Sequence, residues 1–229
     1  MRSPRAATAL LALFAAVAVV HLAALLAGPP VAAATKPALM PLLAAYVLAR
    51  GGPRLLAVAL LFGCGGDTLL LLGGDGRGTL FLLGMGSFAA GHVCYLTLCA
   101  RHGTGGASRA AYGLAGAYGA AWLAAVALLW PGLEPGLRVP VALYSLLLTA
   151  MALGATRARL RAGAGGALFL VSDTLIASGI ADWPQAPAPQ FWIMLTYLAA
   201  QLLLADGLLR AAPAVRPAGH GAYGGVRTT

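Results

Sequence analysis

Apolar residues run in eight long stretches along this chain, separated by short breaks rich in Gly, Pro and Arg. The stretches cover approximately residues 6–27, 33–49, 55–73, 79–99, 110–130, 138–156, 164–181 and 189–210, the second being the shortest. Apolar runs of roughly 18 residues or more are what a helix needs to cross the hydrocarbon core of a bilayer. The strict polar–apolar alternation of membrane-barrel strands does not appear. The breaks carry turn residues: Gly28-Pro29-Pro30, Gly51-Gly52-Pro53, Gly73-Gly74-Asp75-Gly76, Pro131-Gly132, and Pro184 to Pro189. Connections this brief make neighbouring helices antiparallel, which predicts an all-α polytopic membrane bundle in one domain over residues 1–210. Residues 211–229 combine Gly, Pro and Arg without an apolar period and predict a disordered tail.

Composition agrees with an integral, multi-pass membrane protein, placed in the cell membrane if the source is a bacterium. Of 229 residues, 60% are hydrophobic and 9% charged, against roughly 25% charged in a soluble domain. The formal charge of +9 is not a nucleic-acid footprint, because the basic residues lie between apolar segments instead of clustering on one surface. It fits topology determinants and contact with anionic membrane lipids. Arg2, Arg5, Arg50, Arg54, Arg101, Arg109, Arg157, Arg159, Arg161, Arg210, Arg216 and Arg227 fall on one side of eight alternating spans. Only Arg77 and Arg138 fall on the other, so both termini are expected in the cytoplasm. Arg2 and Arg5 before the first span resemble a secretory signal, but its apolar run exceeds a signal core of roughly 7–15 residues, and it is expected to stay as a helix. Cys64, Cys94 and Cys99 lack disulfide or zinc spacing and read as small buried hydrophobes. Gly84, Gly86 and Gly91, and the row Gly113, Ala117, Ala121, fit close helix packing or simple compositional bias; they assign no oligomeric state.

The informative residues are those a membrane makes expensive. An ionised Asp at the centre of a span costs about 2.5–3.5 kcal/mol on insertion scales. Asp75, Glu134 and Asp182 fall in loops, where water solvates them. Asp206 precedes Arg210 by one turn and reads as an interfacial ion pair. Asp67, past the midpoint of the third span after Gly63, Gly65 and Gly66, and Asp173, near the middle of the seventh, are too deep for so short a side chain to reach water. Lys36 enters the second span at its outer end and reaches either the interface or a buried acid. His92 and Tyr95 share a face of the fourth span; Tyr144 with Ser145, Ser172, and Tyr197 with Gln201 add hydroxyls and an amide. His21, His102 and His220 make no three-ligand metal set with His92, so neither a metal nor a cofactor is expected.

Motifs for serine esterases, zincins, NTPases and dinucleotide binding are missing, which leaves carboxyl chemistry. Two acids in a low-dielectric cavity resist ionising together, so one serves as proton donor and the other as base. That division suits hydrolysis through an oxocarbenium-like transition state. It equally suits a proton-coupled small transporter.

At these residues the chain resembles the YhhN-like lysoplasmalogenase family. The resemblance runs from Thr35-Lys36-Pro37 and Gly66-Asp67 with Leu69-Leu70, through Phe81-Leu82-Leu83-Gly84 and Gly91-His92-Val93-Cys94-Tyr95. It continues over Tyr144 to Met151, Gly166 to Ser172-Asp173 with Ile176-Ala177, and Thr196-Tyr197 to Gln201. The order and spacing of these pieces, more than any one of them, carry it. Gly63-Cys64-Gly65 departs from the family pattern without removing a motif group. The resemblance implies cleavage of the vinyl ether bond of lysoplasmalogens to a fatty aldehyde and a glycerophospho-headgroup. It implies a lysophospholipid as substrate, with Asp67 and Asp173 as the catalytic pair. Lys36, His92, Tyr95, Tyr144, Ser172, Tyr197 and Gln201 are then supporting or substrate-binding groups. A family member that only binds lysolipid is a further alternative.

Overall fold

A computed structural model of the chain describes residues 4–27, 29–74, 78–103 and 108–212. The eight apolar stretches form α1 (Pro4–Ala27), α2 (Pro29–Ala49), α3 (Arg54–Gly73), α4 (Gly78–His102), α5 (Arg109–Leu129), α6 (Pro135–Ala158), α7 (Leu160–Ile180) and α8 (Pro189–Ala211). All eight are long and apolar enough to cross a membrane, and the described residues include no strand. The expectations for Arg2, Asp75, Arg77, Arg216, His220, Arg227 and the tail from residue 213 lie outside the described residues.

Three helices begin earlier than the hydropathy pattern suggests, each for a local reason. α2 starts at Pro29, a residue suited to the first turn because its missing N–H would have no helical partner there. Lys36 therefore sits inside α2 and not at its outer end. α6 starts at Pro135 directly after Glu134. α6 and α7 are joined by Arg159 alone, whose extended backbone (φ −164°, ψ 155°) breaks the helical path.

α2 also carries Pro37 and Pro41 in its interior. Pro41 has no N–H to return to the carbonyl of Pro37, which would be orphaned in lipid. The Cys64 thiol of α3 takes that role, its Sγ donating to the Pro37 carbonyl at 3.3 Å. The departure from the family pattern at Cys64 thus has a structural use.

α8 is the central helix and packs against every other helix except α5. Its approach to α7 depends on small residues: a Cβ at Gly165 would lie 2.7 Å from the Leu204 nitrogen and 2.8 Å from the Ala200 carbonyl. α5 is the opposite case. It packs only on α6 and α7, and a Cβ at Gly113, Gly116 or Gly119 would meet nothing. Large side chains such as Leu13, Val19 and Val20 of α1, and Tyr112, Leu123 and Leu128 of α5, point outward. In water such a surface would be an aggregation face, whereas acyl chains match it. Asp206 accepts from Arg210 Nε at 2.9 Å, as its spacing suggests, and also from Arg161 Nη1 of α7 at 2.6 Å. This clamp ties the C-terminal end of α8 to the start of α7.

Candidate active site

Where α1, α2, α3, α7 and α8 diverge, the bundle encloses an open-mouthed cavity of about 810 Å³. Lys36, Asp67, Ser172, Asp173 and Tyr197 are on its wall, and Asp182 and Gln185 of the α7–α8 connection stand at its mouth with Gln190 of the first turn of α8. A second, smaller space of about 90 Å³ lies among α4, α5, α6 and α7, lined chiefly by apolar side chains such as Met85, Val126, Leu129 and Leu148. The two spaces share Leu70, Phe81, Phe88, Ile176, Ile180 and Asp173. Asp173 is thus the one carboxyl at the border between a polar cavity and an apolar slot.

The two acids sit in different surroundings. Asp67 is buried, with the Lys36 ammonium 3.6 Å from its Oδ1. The Tyr197 hydroxyl is a polar neighbour of this carboxyl, while Oδ2 receives no hydrogen bond of ordinary geometry. Behind Tyr197 the polar chain continues away from the cavity: Gln201 Nε2 donates to the Tyr197 hydroxyl at 3.2 Å, and the Tyr95 hydroxyl donates to Gln201 Oε1 at 2.5 Å. Gly63 makes room for this row, since a Cβ there would lie 3.0 Å from the Tyr197 hydroxyl and 3.2 Å from Gln201 Nε2.

Asp173 has no cation paired with it among the described residues. Its Oδ2 accepts a short hydrogen bond from the Tyr144 hydroxyl of α6. His92 Nε2 of α4 lies 3.1 Å from that same hydroxyl. With the tyrosine proton committed to the carboxyl, the ring nitrogen donates to the tyrosine oxygen, leaving the buried His92 Nδ1 without a partner.

Between the two acid networks stands an aromatic cluster. The Phe169 ring meets His92 edge-on at 4.7 Å between centroids, Tyr197 at 5.4 Å and Phe88 at 6.4 Å. The aromatic pair Phe88 and Phe169 is invisible in the sequence among so many apolar residues.

Of the nine residues singled out from the sequence, Lys36, Asp67, Ser172, Asp173 and Tyr197 line the large cavity and Tyr144 lines the slot. His92, Tyr95 and Gln201 are buried behind them. Ser172 spends its hydroxyl proton on the Ile193 carbonyl of α8 at 3.1 Å, so its contribution to the wall is a helix tie. Asp182, explained from the sequence by loop solvation alone, proves to be at the cavity mouth. His21 is on the wall as well; its position near a span end gave no sign of this.

The model of the YhhN family matches residues 31–208, from the start of α2 to the end of α8. No curated protein and no solved structure matches the chain.

Proposed function

The chain belongs to the YhhN family, and on that footing we propose that it hydrolyses the vinyl ether bond of lysoplasmalogens within the membrane. The observation that carries the reading is the position of Asp173, on the boundary of a cavity that holds Lys36 and Asp67 and a slot lined by apolar side chains. A lysoplasmalogen has the same division: a charged headgroup, a hydrocarbon chain, and the reactive ether at the junction.

The geometry distributes the chemistry between the acids. Lys36 beside Asp67 favours its ionised form, whereas Asp173 without a paired cation in an apolar setting holds a proton. Tyr144 donates to Oδ2 of Asp173, which leaves Oδ1 to carry that proton. Delivery to the β-carbon of the vinyl ether produces an oxocarbenium ion at the α-carbon, and the Asp67 carboxylate takes a proton from a water that adds there. As the hemiacetal collapses, Asp67 returns its proton to the departing glycerol oxygen and Asp173 takes the hemiacetal hydroxyl proton. Aldehyde and glycerophospho-headgroup leave, and both acids regain their starting states.

The same reading assigns the side of entry. The mouth of the cavity is formed by the ends of α1, α3 and α7 and the starts of α2, α4 and α8, opposite the arginine-rich side. With the termini in the cytoplasm, substrate enters from the non-cytoplasmic face.

The test is aldehyde release by purified protein in detergent given a 1-alkenyl lysolipid. Fatty aldehyde and glycerophospho-headgroup in equal amounts are expected. Binding without aldehyde, or proton-linked uptake without aldehyde in vesicles, overturns the hydrolase.

A further inference from the structure

α1 precedes the segment that the family model matches, yet it closes one wall of the polar cavity. Two α1 side chains line it, Leu25 and the polar His21, which is only 1% exposed. Its Nδ1 lies 2.9 Å from the Thr35 hydroxyl oxygen of α2. That hydroxyl is itself 2.8 Å from the Val31 carbonyl and 3.2 Å from the Ala32 carbonyl. Carbonyl oxygens only accept, so the single threonine proton is committed to the helix backbone, and its oxygen can only receive a proton from the ring. The proton of the neutral imidazole is therefore on Nδ1. Nε2 is left as an acceptor lone pair.

No donor among the described residues meets that lone pair. Leaving a buried acceptor unsatisfied costs about 1–3 kcal/mol, so the wall carries an unmet demand for an O–H or N–H. The adjacent residue to Thr35 is Lys36, the cation of the cavity, whose charge is felt at His21 and which stands 3.6 Å from Asp67. An acceptor beside a cation and two carboxyls in one cavity is matched by a ligand with a hydroxyl between an anionic group and the reacting bond.

We propose that His21 Nε2 accepts a hydrogen bond from the free sn-2 hydroxyl of a lysolipid, and so selects lysolipids over lipids substituted at that oxygen. The identification of the ligand as a lysolipid rests on the reading above. On the glycerol backbone the sn-2 hydroxyl lies between the sn-1 ether, directed to the carboxyls, and the sn-3 phosphate, directed to Lys36. An acylated or methylated sn-2 oxygen has no proton to give and leaves Nε2 unpaired. Sites that hydrogen-bond a substrate hydroxyl discriminate strongly against analogues lacking it, because their own buried group is then stranded.

The experiment is equilibrium binding of two saturated 1-O-alkyl ether lipids with choline headgroups, one with a free sn-2 hydroxyl and the other 2-O-methylated. Neither has a vinyl ether, so the readout is independent of hydrolysis; choline has no N–H, so the hydroxyl is the only donor. Wild-type protein is expected to prefer the hydroxyl lipid at least tenfold in Kd. His21→Phe keeps a ring in the wall without an acceptor and should reduce that preference to under threefold, leaving the 2-O-methyl lipid bound as in wild type. His21→Gln, whose amide oxygen replaces the lone pair, should retain it. Equal weakening of both lipids in His21→Phe, a preference that survives it, or a wild type indifferent to the methyl group each overturns the proposal. A further comparison with ethanolamine headgroups closes the remaining route: if His21→Phe abolishes only an ethanolamine-over-choline preference, the lone pair reads the ammonium and the hydroxyl assignment falls. Failure of aldehyde release with the hydroxyl preference intact would remove the hydrolase and leave the binding assignment standing.

Discussion

Asp67 and Asp173 are the same side chain, each in the half of its helix that faces the cavity mouth, yet everything behind them differs. Asp67 faces a lysine and backs onto a row of hydroxyls and an amide that ends at Tyr95, deep between α4 and α8. Asp173 faces no paired cation among the described residues and backs onto Tyr144 and His92. The first environment supports a negative charge and the second supports a neutral acid held in one orientation. Two carboxyls in one cavity become non-equivalent through their neighbours alone, as acid–base catalysis requires. Asp206 extends the contrast: with two arginines on it at the rim of the bundle, an acid of the same type becomes only a helix clamp.

The most severe way to break the comparison is to neutralise either acid. Asp67→Asn and Asp173→Asn should each lower kcat for aldehyde release by about a thousandfold, the scale of a lost general acid or base, while both proteins still elute from detergent size exclusion as wild type does. Wild-type turnover in either variant would mean that acid has no part in the reaction. Lys36→Met should come next. It strands a charge on the buried Asp67, and removing one partner from a buried pair costs about 3–5 kcal/mol, read as a lower melting temperature in detergent. Lys36→Met combined with Asp67→Asn should recover the stability without recovering activity. A double variant no more stable than Lys36→Met alone would show that the pair is not what holds α2 to α3. Tyr144→Phe should cost about tenfold in kcat, less than loss of the proton donor itself because Asp173 keeps its carboxyl. An unchanged kcat would remove Tyr144 from the reaction and with it the orientation argument for Asp173.

The sequence carries the parts of this arrangement that are local, and loses those that are not. Helix number and most boundaries follow from apolar run length; the early starts of α2 and α6 were masked because Pro29 and Pro135 look like breaks and are in fact first-turn residues. Asp67 and Asp173 stand out because an acid inside an apolar run has few explanations. Their partners do not stand out. Tyr144 meets Asp173 across 29 positions and Tyr95 meets Gln201 across 106, and no periodicity within one helix reports such a pairing. The i, i+4 rule finds Arg210 for Asp206 but not Arg161, which arrives from α7. Ser172, adjacent to a buried acid, invites a role in chemistry that its bond to the Ile193 carbonyl takes away. His21 and Thr35 are unremarkable singly, and only the packing of α1 on α2 makes them one unit.

The far end of the Asp67 row gives the smallest effect and the finest test of the asymmetry. Tyr95 donates to Gln201 Oε1 and lines neither space, so Tyr95→Phe removes a hydrogen bond without touching the ligand. A buried neutral bond of this kind contributes about 1 kcal/mol, and the melting temperature should fall by a few degrees while kcat and KM for aldehyde release stay within about threefold of wild type. On the Asp173 side, by contrast, Tyr144 is in direct contact with the acid, so its loss reaches the reaction. If Tyr95→Phe instead lowers kcat as far as Tyr144→Phe does, with its melting temperature unchanged, the row behind Asp67 transmits protons to the cavity. The two acids would then be served by equivalent relays, and the assignment of acid and base by their surroundings would lose its ground.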